Sequence, residues 1–195
     1  MRYFTLGSFG NGANRSLAFI SSPPKGIGLY DYCMRFGEAV GDRYPEDPRI
    51  YLEAGRPGIK LASFIGNTVG YLIVCAEMKD AILGAGIGEI ETLPFKLYNH
   101  KNRLHSEDYW IVNPIGSFDC VNRAASDIEY LDASQKDIVA VTKFVLNANK
   151  LNDAPDLFRV PEKKDSYFVS ERLARLFLSK GFTNIMLKEV ALAAA

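Results

Sequence analysis

The sequence predicts an α+β fold: a mixed, mostly antiparallel sheet that carries a few helices. Three observations lead there. Extended segments outnumber helical ones along the 195 residues. They do not alternate regularly with helices, as a doubly wound sheet would require. A strand-helix-strand pattern also occurs twice, and it is read as an internal duplication of one unit.

The elements follow from local patterning. Residues Met1 to Leu6 alternate weakly and read as a strand, followed by a loop over Gly7 to Asn14 in which Gly7, Gly10 and Gly12 permit unusual backbone angles. Ser16 to Ile20 reads as a second strand and Ser21 to Gly26 as a connector. Tyr30 to Val40 reads as a helix with Tyr32, Cys33, Phe36 and Val40 near one face, although Gly37 interrupts it. Arg49 to Glu53 reads as a strand, and Gly55-Arg56-Pro57-Gly58 as a turn. The apolar run Tyr71 to Val74 is a buried strand. It leads into a helix over Ala76 to Leu83, with Met78, Ile82 and Leu83 on its inner face. Gly84, Gly86 and Gly88 stop that helix, and Glu89 to Leu97 returns as a strand.

The second half repeats these events. Tyr109 to Ile115 is a strong strand closed by Pro114, and Asp119 to Arg123, Ile128 to Leu131, Ile138 to Leu146 and Leu157 to Val160 read as further strands. Tyr167 to Val169 then leads through Ser170, an N-cap residue, into a helix over Glu171 to Ser179 with Leu173, Leu176 and Phe177 inward. Gly181 ends it, and Ile185 to Val190 returns. At an offset of 95 residues Val74 falls on Val169, Cys75 on Ser170, Met78 on Leu173, Leu83 on Leu178, Gly86 on Gly181 and Ile90 on Ile185. Neither unit can bury its helix alone, so both are expected to share a core. The length suits a single domain over residues 1–195, or two intimately packed halves of about 1–100 and 108–192.

Composition narrows the function. Lys plus Arg is 23 and Asp plus Glu is 23, so the chain is neutral and lacks the basic surplus of a nucleic-acid binder. A 48% hydrophobic fraction argues against disorder. Cys33, Cys75 and Cys120 are far apart and form no C-x-x-C pair, which points to buried free thiols in a reducing compartment. The first residues lack the apolar core of a signal peptide, and no apolar run reaches the ~20 residues that span a bilayer. A soluble, cytoplasmic protein with no membrane contact is expected.

No motif carries recognisable chemistry. Gly84-Ala85-Gly86-Ile87-Gly88 follows a helix and precedes a strand, the reverse of a phosphate-binding loop, so it reads as a helix stop. The two histidines, His100 and His105, lie in a polar, loop-like segment ending at Glu107 and Asp108. Their spacing is no standard ligand pattern, and Lys101 and Arg103 would oppose a cation. No G-x-S-x-G elbow occurs. Neither catalytic residues, metal ligands nor a cofactor are therefore expected. Tyr30, Tyr32, Tyr44, Tyr51, Tyr98 and Tyr109 supply aromatic groups of the type that anchor protein interfaces.

Several segments occur in a familiar order. They are Tyr109-Trp110-Ile111-Val112-Asn113, Asp119-Cys120-Val121, Leu131-Asp132-Ala133-Ser134, Pro155-Asp156-Leu157-Phe158-Arg159-Val160 and Phe168-Val169-Ser170-Glu171-Arg172-Leu173, followed by Gly181-Phe182-Thr183-Asn184. Together they resemble the immunity proteins of bacterial polymorphic toxins, specifically the immunity protein eleven family. The likeness runs over roughly residues 60–190. Val74-Cys75-Ala76-Glu77 departs from the val-ser-glu pattern of the second unit, and residues 1–58 offer little to match.

The resemblance implies a protein made beside a secreted antibacterial toxin, delivered by type VI or contact-dependent systems. It would bind and neutralise that toxin by protein–protein contact and would not be an enzyme. Within that reading, Arg56, His100, Arg103 and His105 are the expected contact residues, chosen for polarity and loop position. The alternative is an enzyme or small-ligand protein with a site near His100–Asp108. Pairing of an exposed strand edge with a second copy is a third option, and the oligomeric state stays open.

Overall fold

The computed structural model describes residues 1–8, 14–86 and 88–194. Gly10, Gly12, Ile87 and Ala195 lie outside the described residues, so most of the expected loop over Gly7 to Asn14 does too.

The first part of the chain forms β1 (Tyr3–Gly7), β2 (Phe19–Ile20), α1 (Asp31–Phe36), β3 (Arg49–Tyr51), β4 (Gly66–Asn67), β5 (Leu72–Cys75), α2 (Ala76–Ala85) and β6 (Ile90–Tyr98). The rest forms β7 (Leu104–Pro114), β8 (Asp127–Tyr130), β9 (Ile138–Lys143), β10 (Val145–Asn147), β11 (Leu157–Val160), β12 (Lys163–Ser170), α3 (Glu171–Ser179) and β13 (Met186–Ala193). The α+β class is as expected. One sheet runs β3-β6-β7-β5, with β6 and β5 both antiparallel to β7 and β3 parallel to β6. The other runs β10-β13-β1-β12-β11, with β13 and β12 both antiparallel to β1 and β10 parallel to β13. Two short pairs, β2-β4 and β8-β9, complete the structure.

Alternation along each strand splits the residues between two faces, and this builds a layered molecule. Leu72, Val74 and Val112 from the first sheet and Leu6, Leu157, Tyr167 and Val169 from the second meet Met78 and Ile82 of α2 and Leu173, Ala174 and Phe177 of α3. The two helices are thus packed between the two sheets. Ile73, Leu93, Phe95, Leu97 and Ile111 face the other way, against Ala18, Ile20, Ile27, Cys33, Met34 and Ile65. Tyr3, Phe158, Phe168 and Val190 cover themselves with Cys120, Val121, Leu146 and Leu151 on the far side of the second sheet.

The helices obey their caps. The Ser170 hydroxyl accepts from the Leu173 amide, and Gly181 lies just past the last turn at φ 68°. α2 ends at Gly86 with φ 81°. The helix expected over Tyr30 to Val40 is shorter, because Gly37 adopts φ 74° and stops it. No other residue fits there: a Cβ at Gly37 would lie 2.9 Å from the Arg159 Cδ and from the carbonyls of Pro114 and Gly116. In consequence Tyr32 and Phe36 are exposed, and the buried face is Cys33 and Met34. Leu83 is also exposed, and Ala81 takes its place beside Met78 and Ile82.

Three strand expectations change. Asp119 to Arg123 makes one bridge, Val121 to Leu146. Ile138 to Leu146 is two strands broken at Phe144. The segment from Leu104 to Asp108 is not a loop but the first half of β7. The thiols also differ from one another. Cys33 and Cys120 are buried, with burial pushing the Cys120 thiol up to about 12, whereas Cys75 is half-buried. No helix among the described residues is long and apolar enough to cross a membrane.

Arg159 ties the parts together. It is completely buried and donates to the carbonyls of Pro114, Arg35, Lys164 and Met34, to Asn113 Oδ1 and to the Tyr167 hydroxyl. None of these acceptors is a carboxylate. The guanidinium charge is held by aligned dipoles and by the Tyr167 ring, 4.4 Å from its centre.

Candidate partner-binding surface

The four residues expected to meet a partner fall near one end of the first sheet. Arg56 follows β3 in the turn where its amide donates to Glu53 O, and its guanidinium lies 3.7 Å from the centre of the Phe19 ring. His100 and Arg103 sit in the β6–β7 turn and are exposed. The His100 Nε2 is 3.1 Å from Glu53 O, and the His105 Nε2, on β7, is 2.9 Å from Ile59 O. Both imidazoles therefore clamp the 53–59 segment against the β6–β7 hairpin. Their contacts join the 53–59 segment that carries Arg56 to the hairpin, while the Arg103 amide donates to Asn99 Oδ1 in the turn. The imidazole nitrogens so engaged serve structure first.

The hairpin carries a larger feature that polarity alone did not reveal. The register pairs Arg49 with Lys96 and Tyr51 with Tyr98 across β3 and β6, and Tyr98 with Leu104 and Pro94 with Trp110 across β6 and β7. Paired residues share a face, so all of these point to the side of the sheet opposite Ile50, Phe95 and Leu97. α2 covers only part of that side. Its Lys79 ammonium lies 4.2 Å from the centre of the Trp110 ring and closes the helix's edge. The rest is open. The Tyr51 and Tyr98 rings pack at 5.3 Å between centres, the Arg49 guanidinium lies 5.7 Å from the Tyr98 ring, and Leu104 is 50% exposed.

Charge on this platform is organised around Asp47, whose carboxylate accepts from Arg49 Nε at 2.6 Å and from Lys96 Nζ at 2.9 Å. The hydrogen bond from Lys96, then that from Arg49, holds the Asp47 carboxyl below its ordinary range. Each cation is in turn stabilised by the shared carboxylate. The aromatic rings are consequently framed by cations that the shared carboxylate holds in place. Of the tyrosines singled out from sequence, Tyr51 and Tyr98 belong to the platform, whereas Tyr109 is buried with its hydroxyl donating to Ala62 O. Tyr44 donates to Pro94 O from the opposite side, and Tyr30 and Tyr32 are exposed on the α1 segment. Tyr30 there carries the Arg43 guanidinium, 4.9 Å from its ring centre.

Three cavities, of 380, 490 and 610 Å³, lie against the second sheet and the 119–150 region, and none is lined by a residue of the His100–Asp108 segment. Among the described residues no group of three or more His, Cys, Asp or Glu side chains is arranged to hold a metal ion.

A family model described as "Immunity protein family (Imm11)" matches residues 15–192, so the match also takes in much of the N-terminal region that the sequence left unplaced. No curated protein matches the chain.

Proposed function

The chain belongs to the Imm11 immunity protein family, and from that premise we propose that it binds and neutralises a cognate antibacterial toxin by protein–protein contact. The toxin is one delivered by type VI or contact-dependent secretion, and the complex forms in the cytoplasm of the producing cell or its siblings. The chain acts by occupying the toxin and performs no reaction of its own. The family match is the observation that carries this reading. The platform of Tyr51, Tyr98, Leu104, Trp110, Arg49 and Lys96 supports it, because Tyr, Trp and Arg dominate binding energy at protein interfaces. Arg56, His100, Arg103 and His105 form the polar rim of that contact, where each residue contributes little by itself.

The test is calorimetry between this protein and the C-terminal domain of the toxin encoded beside it. A one-to-one complex with a Kd of about 10 nM or tighter supports the reading. Tyr98→Ala and Trp110→Ala are each expected to weaken the complex by about 2 kcal/mol, and Arg103→Ala by less than about 1 kcal/mol. Absence of heat and of co-elution removes the pairing. An intact complex with both aromatic variants at wild-type affinity keeps the toxin but moves the contact elsewhere.

A further inference from the structure

We propose that the lysine-ringed cleft between β9 and the outer face of the second sheet receives an acidic, extended segment of the partner protein. The inference rests on the toxin-binding reading and adds a second contact, on the opposite sheet from the platform. The 490 Å³ cavity there is walled by Lys143 at the end of β9, Lys163 at the start of β12 and Lys188 on β13. Lys163 also borders the neighbouring 380 Å³ cavity together with Lys164.

The charge there is one-sided. None of Lys143, Lys163, Lys164 and Lys188 forms an ion pair among the described residues. The carboxylates that share the two walls are committed elsewhere: Glu189 to Arg2, Glu162 to Arg123 and Asp165 to Arg35. In a chain of zero net charge this is a local cationic surplus. Lysines along a single strand edge would read as a guard against edge-to-edge pairing. These lysines come from three separate strands and converge on one hollow.

The floor of the hollow fits a side chain rather than a lone ion. Val141, Phe144 and Val190 supply apolar surface, and Thr5, Thr142 and Ser166 supply hydroxyls. Phe144 is locked edge-on against Phe168 at 5.0 Å, so the floor is preformed. β13 also has backbone to offer, since β10 pairs only with Ala191 to Ala193 and leaves the Met186–Val190 stretch unpaired by β10 on that side. An extended segment with carboxylates for the lysines and an apolar residue for the floor matches this chemistry.

The experiment uses the intact chain and a fluorescently labelled decapeptide of alternating Glu and Val, with a Lys–Val decapeptide and a single-stranded oligonucleotide as controls. Saturable anisotropy is expected for the acidic peptide alone, weakening about tenfold between about 50 mM and about 300 mM salt. It is expected to vanish in Lys143→Glu/Lys163→Glu/Lys188→Glu, whose melting temperature is compared with that of the parent. If the triple variant unfolds, Lys188→Glu alone is expected to weaken binding at least about threefold. No saturable binding, equal binding of the basic peptide, preference for the oligonucleotide or an unchanged response of a folded lysine variant would overturn the proposal. The peptide contains no toxin sequence, so its failure leaves toxin binding standing, and a failed toxin titration leaves the peptide result intact.

Discussion

Two strand-to-helix junctions, at Cys75 and at Ser170, have the same backbone and different chemistry. Cys75 sits at φ −67°, ψ 161° and Ser170 at φ −68°, ψ 160°. Each ends a strand that lies beside an antiparallel central strand, and each amide donates at 2.9 Å to a preceding segment, Cys75 to Ser63 O and Ser170 to Asp156 O. The second junction adds a polar set. Ser170 caps α3 and donates to the buried Asp156 carboxylate, which also binds Arg172, while Arg172 reaches Ala85 O at the end of α2. Glu171 binds Arg2. The first junction has a thiol with no side-chain cap and Ala76 where the second has Glu171. The lesson is that packing against the shared core holds this turn without a cap, and that the polar set belongs to the second junction alone.

The likeness extends to whole sheets. In each, a strand-helix-strand unit flanks a central antiparallel strand, and a short strand pairs in parallel at the far side. The central strands come from elsewhere in the chain: β1, from its start, completes the second sheet, and β7 completes the first. Duplication of one unit with its leading strands traded would leave this pattern.

Breaking the join between the units has the largest expected effect. Arg159→Met leaves several buried acceptors without a donor, so it is expected to cost at least about 3 kcal/mol in urea unfolding. A loss below about 1 kcal/mol would mean that water replaces the guanidinium. Next, Ser170→Ala is expected to cost about 1–2 kcal/mol, removing the cap and one partner of Asp156. Cys75→Ser sharpens the comparison in the other direction. It is expected to stabilise by about 0.5–1 kcal/mol by giving α2 the cap it lacks, and a lower melting temperature would show that the thiol's apolar packing matters more.

The smallest effect is on pH dependence. The side-chain hydrogen bond from Arg2, then its backbone amide, pulls Glu171 from 4.5 down to about 2. A depressed carboxylate stabilises the fold fully above its ordinary value and loses that contribution as pH falls through the folded one. The melting temperature is therefore expected to fall less steeply between pH 4.5 and about 2 in Glu171→Gln than in the parent. Parallel curves would show that the pair is too exposed to matter.

The second unit was legible because its signals are local: Ser170, the Leu173 and Phe177 spacing and Gly181 bracket α3 without reference to the rest of the chain. The α1 segment was misjudged because Gly37 answers to a distant crowding by Arg159 and Pro114 that no local pattern encodes. Leu104 to Asp108 lacks strand alternation because this half of β7 is held by pairing with β6, beyond the edge of the core. The platform was missed for a related reason. Arg49, Tyr51, Lys96, Tyr98, Leu104 and Trp110 come from three strands and become neighbours only through register. The polar residues Arg56, His100, Arg103 and His105 come from the turns and the start of β7 at one end of the same sheet, where single positions do announce themselves.

Toxin neutralisation itself is measured by titrating the activity of the cognate toxin domain with this protein. Activity is expected to fall linearly and to reach zero at one equivalent, and Tyr98→Ala/Trp110→Ala to turn the sharp endpoint into a shallow curve. Full toxin activity in the presence of a large excess of the folded protein would contradict neutralisation.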